Sequence, residues 1–197
     1  PSLEDLGKLG ALLAQTHLKL APLVDHLRRQ LPLSQQVKSW HQDLLGSSEE
    51  ARLAPLYDFF QARFEQIDAE YASLPQAVLH GDYSWRNLKR RGDEWAVIDF
   101  ERLVVDIPWR ELGKLWLREV KSTEERQAFL AGYRKILPLQ EPSPLLDACL
   151  SFQLAQGIYR YVLKVDDREF RQMADGVIEK LSGKRIIFFQ TMRDKIN

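Results

Sequence analysis

One cysteine, Cys149, stands in a chain of 197 residues. It has no partner within the chain, which excludes a disulfide-built scaffold. A lone thiol in an apolar helical run reads as a buried core residue of a cytoplasmic protein kept in a reducing compartment. A charge excess is missing as well, since 28 Lys and Arg balance 28 Asp and Glu. No global field therefore draws the chain to nucleic acid or to an anionic membrane. No apolar stretch reaches membrane-spanning length. Ile186 to Phe189 is four apolar residues held between Lys184-Arg185 and Arg193, far short of a span. The opening residues lack the basic-then-apolar pattern of a secretory signal. Pro1-Ser2-Leu3-Glu4-Asp5 reads as the start of a helix rather than of a protein, which suggests a fragment or a processed chain. There is no internal repeat and no low-complexity segment.

What is present is ordinary in bulk and unusual at one place. Apolar residues make 45% and charged residues 28% of the chain, as in a globular domain with a sizeable core. The polar residues concentrate in His80-Gly81-Asp82-Tyr83-Ser84-Trp85-Arg86-Asn87-Leu88, and then in Val97-Ile98-Asp99-Phe100-Glu101. The pattern is His-x-Asp-x-x-x-x-Asn, with Asp-Phe-Glu beginning twelve residues after the Asn. Between them, Leu88 to Arg90 is a short strand, Arg91-Gly92-Asp93 a turn and Trp95 to Ile98 an apolar strand. Such a hairpin brings Asn87 and Asp99 side by side.

These residues resemble the catalytic and metal loops of protein-kinase-like phosphotransferases. With Gly81 after His80, Glu101 after Asp99-Phe100, and the apolar Val78-Leu79 and Ile98 before the polar positions, the stretch is similar to the aminoglycoside phosphotransferase and choline kinase-like family. The chemistry fits the residue types, because phosphoryl transfer needs a carboxylate near the attacking hydroxyl and hard oxygen ligands for Mg²⁺. The resemblance implies that Asp82 is the catalytic base. It implies that Asn87 and Asp99 bind Mg²⁺ and with it ATP, and that His80 braces the loop. It also implies an α+β, mostly helical fold: a kinase-like C-terminal lobe with a small β-hairpin at the catalytic and metal-binding loops. Further likenesses are Leu12-Leu13-Ala14-Gln15-Thr16-His17, with His17 packed under the catalytic loop, and Ala128-Phe129-Leu130-Ala131-Gly132-Tyr133. A third is Asp106 to Leu112, where the family's first Asp bonds the catalytic-loop backbone and Glu111 stands for its second. Tyr83, Ser84 and Trp85 depart from the family's usual residues. Arg86 reads equally as a phosphate contact and as a solvated side chain.

The remaining chain reads as helices. Ser2 caps a first helix with the stripe Leu6, Leu9, Leu13 and Leu20, and Pro22 restarts it as far as Leu31. Ser34 opens a short helix ending near Gly46. Ser47 with Glu50 forms a capping box for one long helix bearing Leu53, Leu56, Phe60, Phe64, Ile67 and Tyr71. Helices follow over Trp109 to Glu119, from Thr123, over Leu145 to Val165, and from Asp166-Asp167 to about Leu181, with a last amphipathic piece after Gly183. Asp166, Asp167 and Glu169 read as helix capping, with capture of a cationic substrate as the alternative.

Before His80 there is neither a Gly-rich loop nor a Val-Ala-x-Lys strand. The expectation is therefore that residues 1–197 are the C-terminal catalytic and substrate lobe, with the N-terminal nucleotide lobe absent from this chain. The function expected is transfer of the γ-phosphoryl group of ATP to a hydroxyl of a small molecule such as an aminoglycoside, choline or thiamine. The alternatives are a kinase of lipopolysaccharide-core sugars and an inactive kinase-like binding module.

Overall fold

The computed structural model describes the backbone of residues 1–92 and 94–193, and side chains through Gly183. Asp93 of the expected turn and the side chains of Ile186 to Phe189 lie outside the described residues. The chain divides into two compact units, one of Pro1–Gln30 with Ser73–Pro142, the other of Leu31–Ala72 with the chain from Ser143 onward.

The first unit is built on two helices packed together, α1 (Leu3–Leu20) and α6 (Thr123–Arg134). Ser2 caps α1 as the sequence implies. Its hydroxyl accepts from the Asp5 amide at 3.1 Å, and the Asp5 carboxylate accepts from the Ser2 amide at 3.1 Å. Ser122, one residue before the expected Thr123, makes the same reciprocal cap with Glu125 for α6. Leu6, Leu9 and Leu13 on α1 meet Phe129 and Tyr133 on α6, joined by Leu112 and Leu115 of α5 (Trp109–Arg118) and by Tyr83 and Leu88. Full burial of each such side chain stabilises by roughly 1.5–3 kcal/mol.

Two small antiparallel sheets carry the loops. β1 (Ala77–Leu79) pairs with β4 (Val104–Asp106), Val78 opposite Val105, and delivers the chain into His80. β2 (Leu88–Arg91) pairs with β3 (Glu94–Val97) in the expected hairpin, Leu88 opposite Val97. The expected helix from Pro22 to Leu31 does not form. A 3₁₀ turn at Ala21–Leu23 runs into a further turn through His26, and then Arg29 bridges to the other edge of β4, where Gln30 donates to the Val105 carbonyl at 3.1 Å and Val105 to the Arg28 carbonyl at 3.0 Å. The buried backbone of Val105 needs those partners, and that need outweighs the helical patterning.

The second unit holds α2 (Leu33–Gln42), α3 (Glu50–Gln61), α4 (Phe64–Ser73), α7 (Pro144–Val162) and α8 (Arg168–Arg193). The single helix expected from Ser47 to Tyr71 is two, separated at Ala62-Arg63, where Arg63 donates to the Phe60 carbonyl at 2.8 Å in a tight turn. The expected capping box is absent. Ser47 Oγ donates to Leu44, Glu50 accepts from Gly46, and Glu49 occupies the cap position. Ser34 is inside α2 and bonds Asp68 by both its amide (2.9 Å) and its hydroxyl (2.5 Å). Helix α8 continues through Gly183 instead of stopping near Leu181. Asp167 caps it, accepting from the Phe170 amide at 3.1 Å, and Tyr159 is buried against Asp175 at 2.7 Å.

Candidate active site

The catalytic-loop residues lie in the first unit, between the end of β1 and the start of β2. Gly81 turns the chain with φ +82°, and a Cβ there would sit 2.1 Å from the Arg102 carbonyl oxygen. Only glycine meets both conditions. The turn places His80 in the interior, fully buried. Its Nε2–H donates to the Ile98 carbonyl at 2.9 Å, while Nδ1 accepts the Asp82 amide at 3.3 Å. One ring thus ties the loop bearing Asp82 to the residue before Asp99.

Asp82 is buried, and its carboxylate pairs with the Arg86 guanidinium, whose side chain is 59% exposed. That bond raises the Arg86 pKa further, and Asp99 and Glu119 add to the shift. Asn87 is buried, and its Nδ2 donates to the Asp82 carbonyl at 2.9 Å. This commits the amide nitrogen to the loop and leaves Oδ1 as the acceptor end of the side chain. The Asn87 carbonyl accepts from the Ile98 amide at 2.9 Å, so a backbone hydrogen bond at the hairpin's open end ties Asn87 to the residue before Asp99. Asp99 is exposed and has φ +69°, a left-handed conformation that Asp tolerates better than most residues and that recurs at functional sites.

Helix α5 supports the loop from below. The buried Glu111 carboxylate accepts backbone N–H groups from His80 (2.7 Å), Gly81 (2.9 Å) and Tyr83 (3.4 Å). The resemblance gave this task to Asp106. Asp106 pairs with Arg110 at 2.9 Å and accepts from the Ile107 amide at 2.7 Å, and it stands opposite Ala77, at the end of β1 away from His80. His17 lies under Glu111 as the sequence suggests, with Nε2 3.5 Å from Oε2. The Tyr133 hydroxyl donates to Nδ1 at 2.8 Å. Burial, reinforced by Glu111, pushes the Tyr133 pKa up and keeps that proton in place.

Two residues near Asp82 escaped the sequence reading. Lys114 donates from Nζ to the Gly81 carbonyl at 3.3 Å. Desolvation of its ammonium lowers its pKa, opposed by Asp82 and Glu111, although much of the side-chain stem is exposed. Glu119 accepts from the Trp85 amide at 2.9 Å, and partial burial raises its pKa. Helical spacing from Glu111 was the available signal for Lys114, three residues along the same face.

Among the described residues no group of three or more His, Cys, Asp and Glu converges as a metal site. Asn87 and Asp99 offer one amide oxygen and one carboxylate. Mg²⁺ commonly takes one or two protein oxygens and completes its shell with phosphates and water. The donor set therefore fits an ion that arrives with a nucleotide.

The helical body, the hairpin and the loop it carries define the C-terminal lobe of a protein-kinase-like phosphotransferase. The model of the phosphotransferase enzyme family matches residues 2–145, and the chain belongs to that family. A choline/ethanolamine kinase family protein from Mesorhizobium loti has a similar structure, with a TM-score of 0.59 and 18% identity over 92% of this chain and 64% of that one. Spectinomycin phosphotransferase in complex with ADP and spectinomycin gives 0.52 and 14%, over 91% of this chain and 61% of that one. A macrolide 2'-phosphotransferase from Brachybacterium faecium gives 0.51 and 19%, over 90% and 61%. This chain thus spans less than two-thirds of the length of these structures. No curated protein sequence matches it.

Proposed function

We propose that the protein is a small-molecule kinase that moves the γ-phosphoryl group of ATP to a substrate hydroxyl, with Asp82 as base and Asn87 and Asp99 as Mg²⁺ ligands. The carrying observation is the linkage of these three residues through His80 and the Asn87–Ile98 pairing, on a loop whose backbone N–H groups Glu111 holds. A module that only bound a ligand would have no use for all three. On this reading residues 1–197 are the catalytic and substrate lobe, and a nucleotide lobe is required beside them. The site of action is the cytoplasm, where ATP and Mg²⁺ are available. No helix among the described residues is long and apolar enough to cross a membrane.

The residues divide the work. Asp82 takes the hydroxyl proton as the new O–P bond forms and the bond from the γ-phosphorus to the bridging oxygen breaks, releasing ADP. General-base help of this kind supplies ~10²–10⁴-fold. Asn87 and Asp99 hold the nucleotide end of the reaction, where bound Mg²⁺ would neutralise phosphate charge. His80 and Glu111 keep the two ends at fixed separation, and that positioning lowers the barrier as much as any proton transfer.

The test is ADP release with Mg²⁺ and ATP over aminoglycosides, choline, thiamine, homoserine and sugars, using this chain and the longest natural product containing it. Asp82→Asn is the control. Turnover that Asp82→Asn abolishes while the fold survives supports the assignment. Silence in both proteins with no nucleotide binding would leave a kinase-like binding module.

A further inference from the structure

We propose that Arg86 is a catalytic residue, holding the Asp82 carboxylate at rest and transferring its guanidinium to the phosphoryl group in transit. The inference rests on the function proposed above. Three observations carry it. The first is position: Arg86 belongs to the 3₁₀ turn Trp85–Asn87, next in sequence to the proposed metal ligand, and its side chain pairs with the proposed base. The second is reach. The charge of Arg86 interacts with Asp82 and also with Asp99, so it lies in the field of both ends of the reaction. In-line transfer carries the phosphoryl group from the metal-ligand end to the hydroxyl at the base, and Arg86 is paired with that base and adjoins Asn87 in sequence. The third is freedom. Asp82 shows 11% of its side chain to solvent and Arg86 59%, so the anion is fixed and the cation's head can move.

Chemistry supplies the reason for the exchange. While Arg86 bonds Oδ2 of Asp82, that oxygen is committed to the guanidinium. A phosphoryl group offers more charge than a carboxylate, and its oxygens match the guanidinium fork. The phosphoryl group in transit therefore competes for Arg86 and frees Asp82 to take the hydroxyl proton. Lys114, bonded to the Gly81 carbonyl and also in the field of Asp82, keeps a positive charge beside the base when Arg86 departs. No further reactant is needed: the proton goes to Asp82 and the electron pair of the broken P–O bond leaves with ADP.

The test compares wild type, Arg86→Ala, Arg86→Lys and Asp82→Asn in the longest natural product. Arg86→Ala is expected to lower kcat about 10²-fold while both KM values stay within about threefold, since a transition-state contact is lost and ground-state binding is kept. Arg86→Lys should recover part of the rate, because it restores the charge without the fork. A second readout is binding of Mg²⁺–ADP with and without aluminium fluoride, which mimics the phosphoryl group in flight. Arg86→Ala should bind Mg²⁺–ADP as wild type does and lose the extra affinity that fluoride confers. Thermal unfolding of all four proteins checks the fold. If Arg86→Ala keeps wild-type kcat and fluoride-enhanced affinity while Asp82→Asn is inactive, the role of Arg86 is overturned and the kinase assignment stands. If wild type neither turns over nor binds Mg²⁺–ATP, the kinase assignment fails and takes this inference with it.

Discussion

Glu111 sits near the start of α5, and its two oxygens take N–H groups from three residues of the catalytic loop. Truncation to Ala would leave buried donors without partners, each costing roughly 1–3 kcal/mol. Glu111→Ala is therefore expected to destabilise by about 3–5 kcal/mol, with Glu111→Gln losing less, measured by denaturant titration. A loss below about 1 kcal/mol would mean that water replaces the carboxylate. That His80, Asp82 and Asn87 share one loop, with Ile98 and Asp99 brought beside it by the hairpin, was legible because the spacing is local. The task of Glu111 was not, since nothing in the sequence shows which of two nearby acids points at a loop some thirty residues earlier. His41 offers a second test at this scale. Its buried ring stacks on Tyr57 with centroids 3.8 Å apart, and Nδ1 has no hydrogen-bond partner. Burial lowers its pKa, against the pull of Asp58 and Glu50. The fold thus favours the neutral ring, so this contribution is present above the ordinary pKa of about 6.5 and is lost as pH falls below it. His41→Phe should keep the stack, gain about 1 kcal/mol by removing the orphaned nitrogen, and flatten the fall in Tm between about pH 7 and pH 5. A parallel fall in both proteins would show that His41 does not titrate in that range.

At the scale of elements, α1 and α6 touch backbone to backbone. A Cβ on Gly132 would lie 1.8 Å from the Gly7 carbonyl oxygen, and one on Gly10 1.9 Å from that of Phe129. Gly132→Ala must therefore separate the helices. In doing so it would also part His17 on α1 from Tyr133 on α6, beneath Glu111. The expected cost is about 1–3 kcal/mol or more, read as a fall in Tm, with weaker nucleotide binding at temperatures where the protein is still folded. Gly183→Ala is the contrast, since nothing lies within 4 Å of a Cβ there, and it should stabilise slightly through helix propensity. Equal effects would mean that the α1–α6 approach is loose. The helices with strong caps and stripes were readable from the sequence, and so was the hairpin. The Pro22 to Leu31 segment was misread because the unpaired edge of β4, seventy residues later, decides its shape. The break at Ala62-Arg63 carries neither glycine nor proline, and the apolar stripe runs through it unbroken.

Across the whole molecule, charge balance sets what the local site must do alone. With 28 cationic and 28 anionic side chains, no long-range field gathers anions toward the loop. On the proposed function, attraction for a nucleotide must come from groups at the site, Lys114 among them, together with the metal that accompanies it. The family assignment rested on a short polar pattern, while the substrate depends on surfaces that no local spacing records. Neutrality makes two outcomes measurable. Double-stranded DNA should show no retention of the protein at about 0.15 M salt, since affinity for such a polyanion depends on many phosphate contacts and falls steeply with salt. Mg²⁺–nucleotide affinity should change by less than about threefold between about 0.05 M and 0.2 M salt, because short-range contacts within a Debye length are weakly screened. Asp99→Ala should remove the Mg²⁺-dependent part of that affinity and lower Tm only modestly, since the side chain is exposed but Ala holds the left-handed backbone there at a cost of about 1 kcal/mol. Steep salt dependence in the wild type would show that charge beyond the site gathers the nucleotide. An unchanged magnesium titration in Asp99→Ala would remove Asp99 from the ligand set and leave Asn87 as the only ligand named here.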